Sequence, residues 1–214
     1  MDEEITIIDS NTRNEKIKNF FINNKKNLLI GLSIILVVVI SYLSIKELKV
    51  QKKIKLANAF NKTKINFSTN TKQKTADQLT QIINENDSTY SPLALYFLID
   101  NNLIDDKNAI NNLFDELINK TTLDKEIRNL ILYKKALFNS SFSTENVLIK
   151  ILNPIINSES IWKSHSLYLV AEYFYSNNEK NKSKEFYKKI LELPNINLDI
   201  KKKTQKRLNR DFSE

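Results

Sequence analysis

Hydrophobic positions in this 214-residue chain follow two patterns: one unbroken run near the N-terminus and, beyond it, a series of stripes at helical spacing. The run covers residues 28–45, LLIGLSIILVVVISYLSI, eighteen residues without a charge. As a helix rising about 1.5 Å per residue it reaches roughly 27 Å, close to the hydrocarbon thickness of a bilayer. Ser33, Ser41 and Ser44 can bond back to carbonyls of their own helix. A membrane-spanning helix is predicted. A buried core helix is seldom apolar on every face, and a cleaved leader has an apolar run of only ~7–15 residues followed by a small-x-small site, which is missing here.

On the N-terminal side, residues 1–12 are polar and acidic and are expected to be disordered. The segment EKIKNFFINNKK then puts Ile17, Phe20 and Phe21 on one helical side, ringed by Lys16, Lys18, Lys25 and Lys26, which predicts a helix lying at a membrane interface. After the run, KELKVQKKIKLANAFNKTKINF has no helix breaker. Leu48, Leu56, Ala59, Phe60 and Phe67 recur at roughly helical spacing, so residues 46–69 read as a lysine-studded helical stem.

Short amphipathic stripes separated by polar turns make up the remainder. Ala76, Leu79, Ile82 and Ile83 form the first, ended by NEND; Ser91 then reads as an N-cap with Pro92 at the first helical position. Asp105 or Asp106 is the expected cap of the next, whose face is Ile110, Leu113, Phe114, Leu117 and Ile118. LDKEIRNLILYKKALFN should start near Thr122, and Leu148, Ile151, Leu152 and Ile155 mark a helix that Pro154 should kink or end. The last strong pair is SHSLYLVAEYFYSNN and EKNKSKEFYKKILELPN, before a basic final helix near residues 201–210.

Composition sharpens this picture. The only glycine lies in the apolar run and there are three prolines, so the body lacks the residues that sheet hairpins need, and an all-α fold is predicted. Without cysteine, disulfides, thiolate zinc sites and cysteine nucleophiles are excluded. Lys+Arg number 33 against 25 Asp+Glu. Five of each precede the run, so the excess of +8 belongs to the stem, the body and the tail, a balance suited to anionic headgroups, an acidic partner or nucleic acid, and equally to a lysine-rich overall composition. Five basic residues precede the run and seven lie within twenty positions after it, a count that weakly favours an inward-facing C-terminal domain.

Helices of this length joined by short turns suggest a repeat. The openings around Leu95, Leu132 and Leu167 lie 37 and 35 residues apart. In the last unit Leu167, Val170, Ala171 and Phe174 share one helix and Ser183, Tyr187 and Ile190 the next, before Pro194. This unit resembles a tetratricopeptide repeat, with Asn178 in the turn where that repeat commonly has glycine; asparagine tolerates the left-handed region better than other side chains. The resemblance implies small residues where the two helices cross, and Ala171 and Ser183 fall there. The unit at Leu132 departs from the pattern, with Lys135 and Asn139 at positions expected to be apolar. The resulting division is an N-terminal tail (1–27), a transmembrane helix (28–45), a stem (46–69), a tetratricopeptide-like helical-hairpin solenoid (70–200) and a basic C-terminal tail (201–214).

The order of a polar head, IKNFFINNKKNLLIG entering a single anchor, a lysine-bearing stem, STYSPLALYFL and then repeat-like pairs resembles the bacterial YfgM-like proteins, ancillary subunits of the Sec translocon. The resemblance runs from about Glu15 to Pro194. It implies a single-pass protein of the bacterial inner membrane, with a cytoplasmic N-terminus and a periplasmic repeat domain. The implied partners are the lipid bilayer, the SecYEG channel and a periplasmic prolyl-isomerase-like chaperone. That orientation outranks the lysine count, since large domains cross despite flanking charge.

Candidate chemistry is sparse. His165 has only serines beside it, and sequence neighbours on a helix do not face each other. Asp105, Asp106, Asp115 and Glu116 occupy cap and solvent-face positions, and no glycine-based phosphate loop is possible outside the apolar run. No catalytic, metal or cofactor site is expected. Aromatics crowd the last pair, and Trp162, Tyr168, Tyr173 and Tyr175 are the candidates for a protein-binding surface, while Leu167, Val170, Ala171, Phe174, Ser183, Tyr187 and Ile190 are the expected repeat core. The expected function is a non-enzymatic, membrane-tethered interaction scaffold. The alternative is a cytoplasmic-facing basic adaptor that binds anionic lipid or nucleic acid through the stem and the KKKTQKRLNR tail.

Overall fold

The computed structural model describes residues 2–68 and 71–212, with backbone alone for residues 2–11. All regular structure among the described residues is helical. The chain divides into two units, Met1–Lys55 and Leu56–Glu214. The expected boundary between stem and body, at residues 69 and 70, lies outside the described residues.

The first unit holds α1 (Asp2–Asn23) and most of α2 (Lys25–Ile65). The expected disorder of residues 2–12 is not observed, because they belong to α1. No proline or glycine interrupts the segment. Ile17, Phe20 and Phe21 are exposed. At Asn24 the helix changes to α2, with the Asn24 N–H donating to the Phe20 carbonyl and the Leu28 N–H to the Asn24 carbonyl. The apolar run lies inside α2, where an 18-residue window has a mean hydropathy of 2.8 and none of it is buried by protein. This helix is long and apolar enough to cross a membrane. It continues through the lysine-rich stem without a break to Ile65, as the absence of breakers predicts.

The second unit starts with the last turns of α2, whose Leu56, Phe60 and Thr63 are buried. Phe60 meets the rings of Tyr90 and Phe97, and Phe67 packs edge-on against Phe97. Then come α3 (Lys72–Asn84), α4 (Tyr90–Asp100), α5 (Lys107–Lys120), α6 (Lys125–Asn139), α7 (Glu145–Ile156), α8 (Lys163–Ser176), α9 (Lys180–Leu191) and α10 (Leu198–Asp211). Each packs on the next, and α3 with α5, α6 with α8 and α8 with α10 also touch, so hairpins stack in layers. Helices α4, α6, α8 and α10 begin at Tyr90, Lys125, Lys163 and Leu198, at intervals of 35, 38 and 35 residues. Polar contacts between layers keep this period. Thr121 reaches Asn86, Trp162 reaches Glu126, and Arg207 reaches Glu172, over 35, 36 and 35 residues.

The predicted stripes form the core. Ala76, Leu79, Ile82 and Ile83, then Ile110, Phe114 and Leu117, are buried together, with Leu113 and Ile118 half-buried at the edge. Leu148, Leu152 and Ile155 pack against Ala136, Val170 and Phe174. Leu167, Ala171, Tyr187 and Ile190 pack against Ile200 of α10. Pro154 is accommodated inside α7, which ends two residues later at Ile156.

Without glycine, the turns rely on asparagine. Asn86, Asn102 and Asn178 have φ of 53°, 50° and 62°, each just beyond a helix end. At Asn102 the Leu103 N–H returns to the Leu98 carbonyl and the Asn102 N–H to that of Ile99; at Asn178 the bonds run from Glu179 to Phe174 and from Asn178 to Tyr175. Both are six-to-one, five-to-two closures that satisfy the terminal carbonyls. The third turn corrects the expected role of Ser91. Asp87 caps α4 instead, its carboxylate accepting from the Thr89 and Tyr90 N–H groups at 2.9 and 2.8 Å, so the helix begins ahead of Ser91. Ser91, fully buried, donates to the Ile82 carbonyl at 2.8 Å and accepts from the Asp87 N–H at 2.9 Å. Its hydroxyl thus bridges the two groups that a closed turn would join directly.

Candidate protein-interaction surface

The four aromatic candidates are all half-buried and have different neighbours. Trp162, just ahead of α8, donates its indole N–H to the Glu126 carbonyl at 3.1 Å and stacks on Tyr133 with ring centres 5.8 Å apart. His165 lies beside these two rings, where burial lowers its pKa; the Ile161 carbonyl opposes that shift and Lys203 adds to it. Tyr173 donates its hydroxyl to the Ser143 carbonyl at 3.1 Å. Tyr168 packs on the Tyr187 ring, and Tyr175 lies under the Arg207 guanidinium, 4.7 Å away, with the Phe212 ring edge-on to it. Only Tyr168 and Tyr175 share a neighbourhood. The seven expected core residues are all buried, with the Ser183 hydroxyl donating to the Ala171 carbonyl at 2.9 Å where α8 and α9 cross.

That shared neighbourhood is a charged clasp which holds α10 to α8 and which the sequence did not point out. Arg207 binds Glu172 through two nitrogens, one of them at 2.7 Å, and Asp211 through a third at 2.9 Å; Tyr187 donates its hydroxyl to Glu172 at 2.5 Å. Burial opposes ionisation of Glu172, but hydrogen bonds from Arg207, Tyr187 and Tyr168 outweigh it and hold the carboxyl below its ordinary value. Arg210 and then Arg207 pull Asp211 down to about 2. Burial, followed by Glu172, pushes the Tyr187 phenol upward. Ile200 and Thr204 are buried, so the lysine-rich segment forms a packed helix with Lys201, Lys202, Lys203 and Lys206 facing out.

The acidic pairs singled out in the sequence are engaged structurally. Asp106 caps α5 through the Asn108 N–H, Asp105 pairs with Lys72, Asp115 with Lys135, and Glu116 with Lys120. The two polar departures at Leu132's helix have partners as well. Lys135 reaches Asp115 at 2.6 Å, and Asn139, 3% exposed, exchanges amide hydrogen bonds with Asn111 at 3.1 and 2.7 Å.

Among the open depressions on the second unit are three between neighbouring helices or helix starts. One of about 450 Å³ is found between the end of α2 and α3, bounded by Leu56, Thr63, Lys74 and Gln78. A second, of about 500 Å³, lies between α4 and α6, with Pro92, Leu93 and Tyr96 on one wall and Leu123, Ile127 and Leu130 on the other. A third, of about 570 Å³, lies among the starts of α6, α8 and α10 and includes Glu126, Glu159, Ile161 and Ile196. The sequence signal for the last two is the 34-residue spacing of exposed Leu93, Ile127 and Ile161, apolar residues on faces that the stripes leave to solvent.

Scans against protein-family models, characterised proteins and solved structures return no match to this chain.

Proposed function

We propose that this is a single-pass membrane protein whose body is a tetratricopeptide-like solenoid and whose role is that of a tethered, non-enzymatic interaction scaffold. One observation carries the reading: helical hairpins recur every 35 to 38 residues on the same chain as an apolar helix that no protein surface covers. An uncharged, largely apolar run of eighteen residues that no protein surface buries needs a cover, and lipid supplies one. Stacked hairpins offer extended surfaces for other chains, and tethering raises local concentration so that weak contacts suffice. The half-exposed rings of Trp162, Tyr168, Tyr173 and Tyr175 add amphipathic contact area.

The order of head, anchor, stem and hairpins supports an ancillary translocon role like that of the YfgM-like proteins. The scaffold then links the SecYEG channel with periplasmic chaperones, its N-terminus cytoplasmic and its body periplasmic in the bacterial inner membrane. Photo-crosslinking from the body in intact cells is the test, combined with protease treatment of spheroplasts. Adducts with a channel subunit or a periplasmic chaperone, and digestion of the body before the membrane is broken, are the expected results. A body protected until lysis, with no such adduct, overturns the translocon assignment.

A further inference from the structure

The depressions between α4 and α6 and among the starts of α6, α8 and α10 share the first turn of α6, where Ile127 lines one and Glu126 the other. Leu93, Ile127 and Ile161 stand along this edge, 42%, 41% and 68% exposed, one from each successive layer. Their charge environment departs from that of the chain. The charged residues lining the two depressions are Asp124, Glu126 and Glu159, all acidic, on a protein of net charge +8. Lys125 stands at the rim with its ammonium bonded to the Glu159 carbonyl at 2.9 Å. Glu126 is occupied with the Ser160 hydroxyl and the Ile161 N–H, whereas Asp124 and Glu159 are exposed.

Helices α6 and α8 pack on each other, and packed helices lie about 8–10 Å apart, so the apolar contacts that Ile127 and Ile161 offer at their starts suit a ligand whose apolar side chains recur at about that distance. A polyproline-type extended segment rises about 3.1 Å per residue with three residues per turn, which brings every third side chain to one side at roughly 9 Å intervals. Local acidity favours lysine or arginine between those positions. The geometry points to this edge as a docking groove for an extended segment of a partner protein that carries apolar residues at every third position and basic residues among them. The inference rests on the scaffold reading above and names the chemistry of its ligand.

The probe is a fluorescent twelve-residue Leu-Lys-Pro repeat, whose prolines preclude a helix, titrated against the full chain in nanodiscs of zwitterionic lipid, with empty nanodiscs as the blank. Replacing the peptide's leucines by serine, or its lysines by glutamate, should each weaken binding about tenfold or more. So should Ile127→Ser or the pair Asp124→Lys and Glu159→Lys in the protein. These protein positions are exposed, and unchanged helical circular dichroism checks that the fold is kept. Equal binding of the glutamate peptide, or wild-type affinity in the variants, overturns the inference. It is also overturned if the chain sediments as a dimer that Ile161→Ser dissociates, because the groove is then covered by a second copy. Adducts from elsewhere on the body in cells, with no peptide binding here, would sink the groove and leave the scaffold reading standing. Absence of adducts from any position would sink the scaffold.

Discussion

At the scale of single residues, this body solves the problem of turning a chain without glycine. Each left-handed turn position costs an ordinary L-residue roughly 1–2 kcal/mol, and asparagine lowers that cost because its short amide bonds locally. Asn102 is exposed, so its substitution tests the backbone alone. Asn102→Ala should destabilise the protein by about 1 kcal/mol in urea melts, and Asn102→Gly should be neutral or slightly stabilising. The Asn111–Asn139 pair makes the opposite demand. Asn111→Ala leaves the buried Asn139 amide short of a partner and should cost about 1–3 kcal/mol, more than an exposed asparagine elsewhere. These residues also mark where sequence reading reaches and where it stops. Asn178 is legible because its position in the hairpin demands positive φ. Asp87 is not, because Ser91-Pro92 offers a stronger cap signal, and only the fold shows that Ser91 is needed to bridge α3 and α4. Asn139 and Lys135 read as flaws in a repeat because their partners, Asn111 and Asp115, sit on the preceding helix at separations that periodicity does not reveal.

At the scale of elements, the stripes placed α3 to α9 well because burial on one face is what holds each amphipathic helix. The terminal helices were harder to read. For α1, acidic composition suggests a disordered head, yet the segment holds no proline or glycine to break a helix. For α10, abundant lysines conceal the few apolar contacts, Ile200, Leu208 and Phe212, that dock it. Its clasp on α8 makes stability depend on acid. The Asp211 carboxyl is depressed from an ordinary 3.8 to about 2, so its contribution is fully present above the unfolded value and is lost as pH falls through about 2. Glu172, also depressed, acts in the same direction. Arg207→Met should cost about 1–2 kcal/mol at neutral pH, since the pair is partly solvated. In thermal melts, the gap between wild type and Arg207→Met should shrink steadily between about pH 5 and pH 2.

At the scale of the molecule, the apolar run was the most legible feature, because nothing but length and composition is needed to recognise it. The proposed interaction surface is the least legible. The aromatics that suggested it are tied to internal partners, while the open edge belongs to isolated aliphatic residues a whole layer apart. If lipid covers the apolar run, the full chain should stay with membranes through carbonate extraction, and a chain lacking residues 1–45 should remain in the supernatant with its helical signal intact. A full-length protein released by carbonate would refute the membrane reading. The layered packing also bears on how the body is made. Side-chain hydrogen bonds between layers bridge 31 positions along the chain from Asn129 to Ser160 and 37 from Lys182 back to Glu145. Low contact order of this kind favours rapid folding. Each hairpin can therefore settle on the one already formed as soon as it leaves a ribosome or a secretion pore, so synthesis can proceed without any segment waiting for the C-terminus.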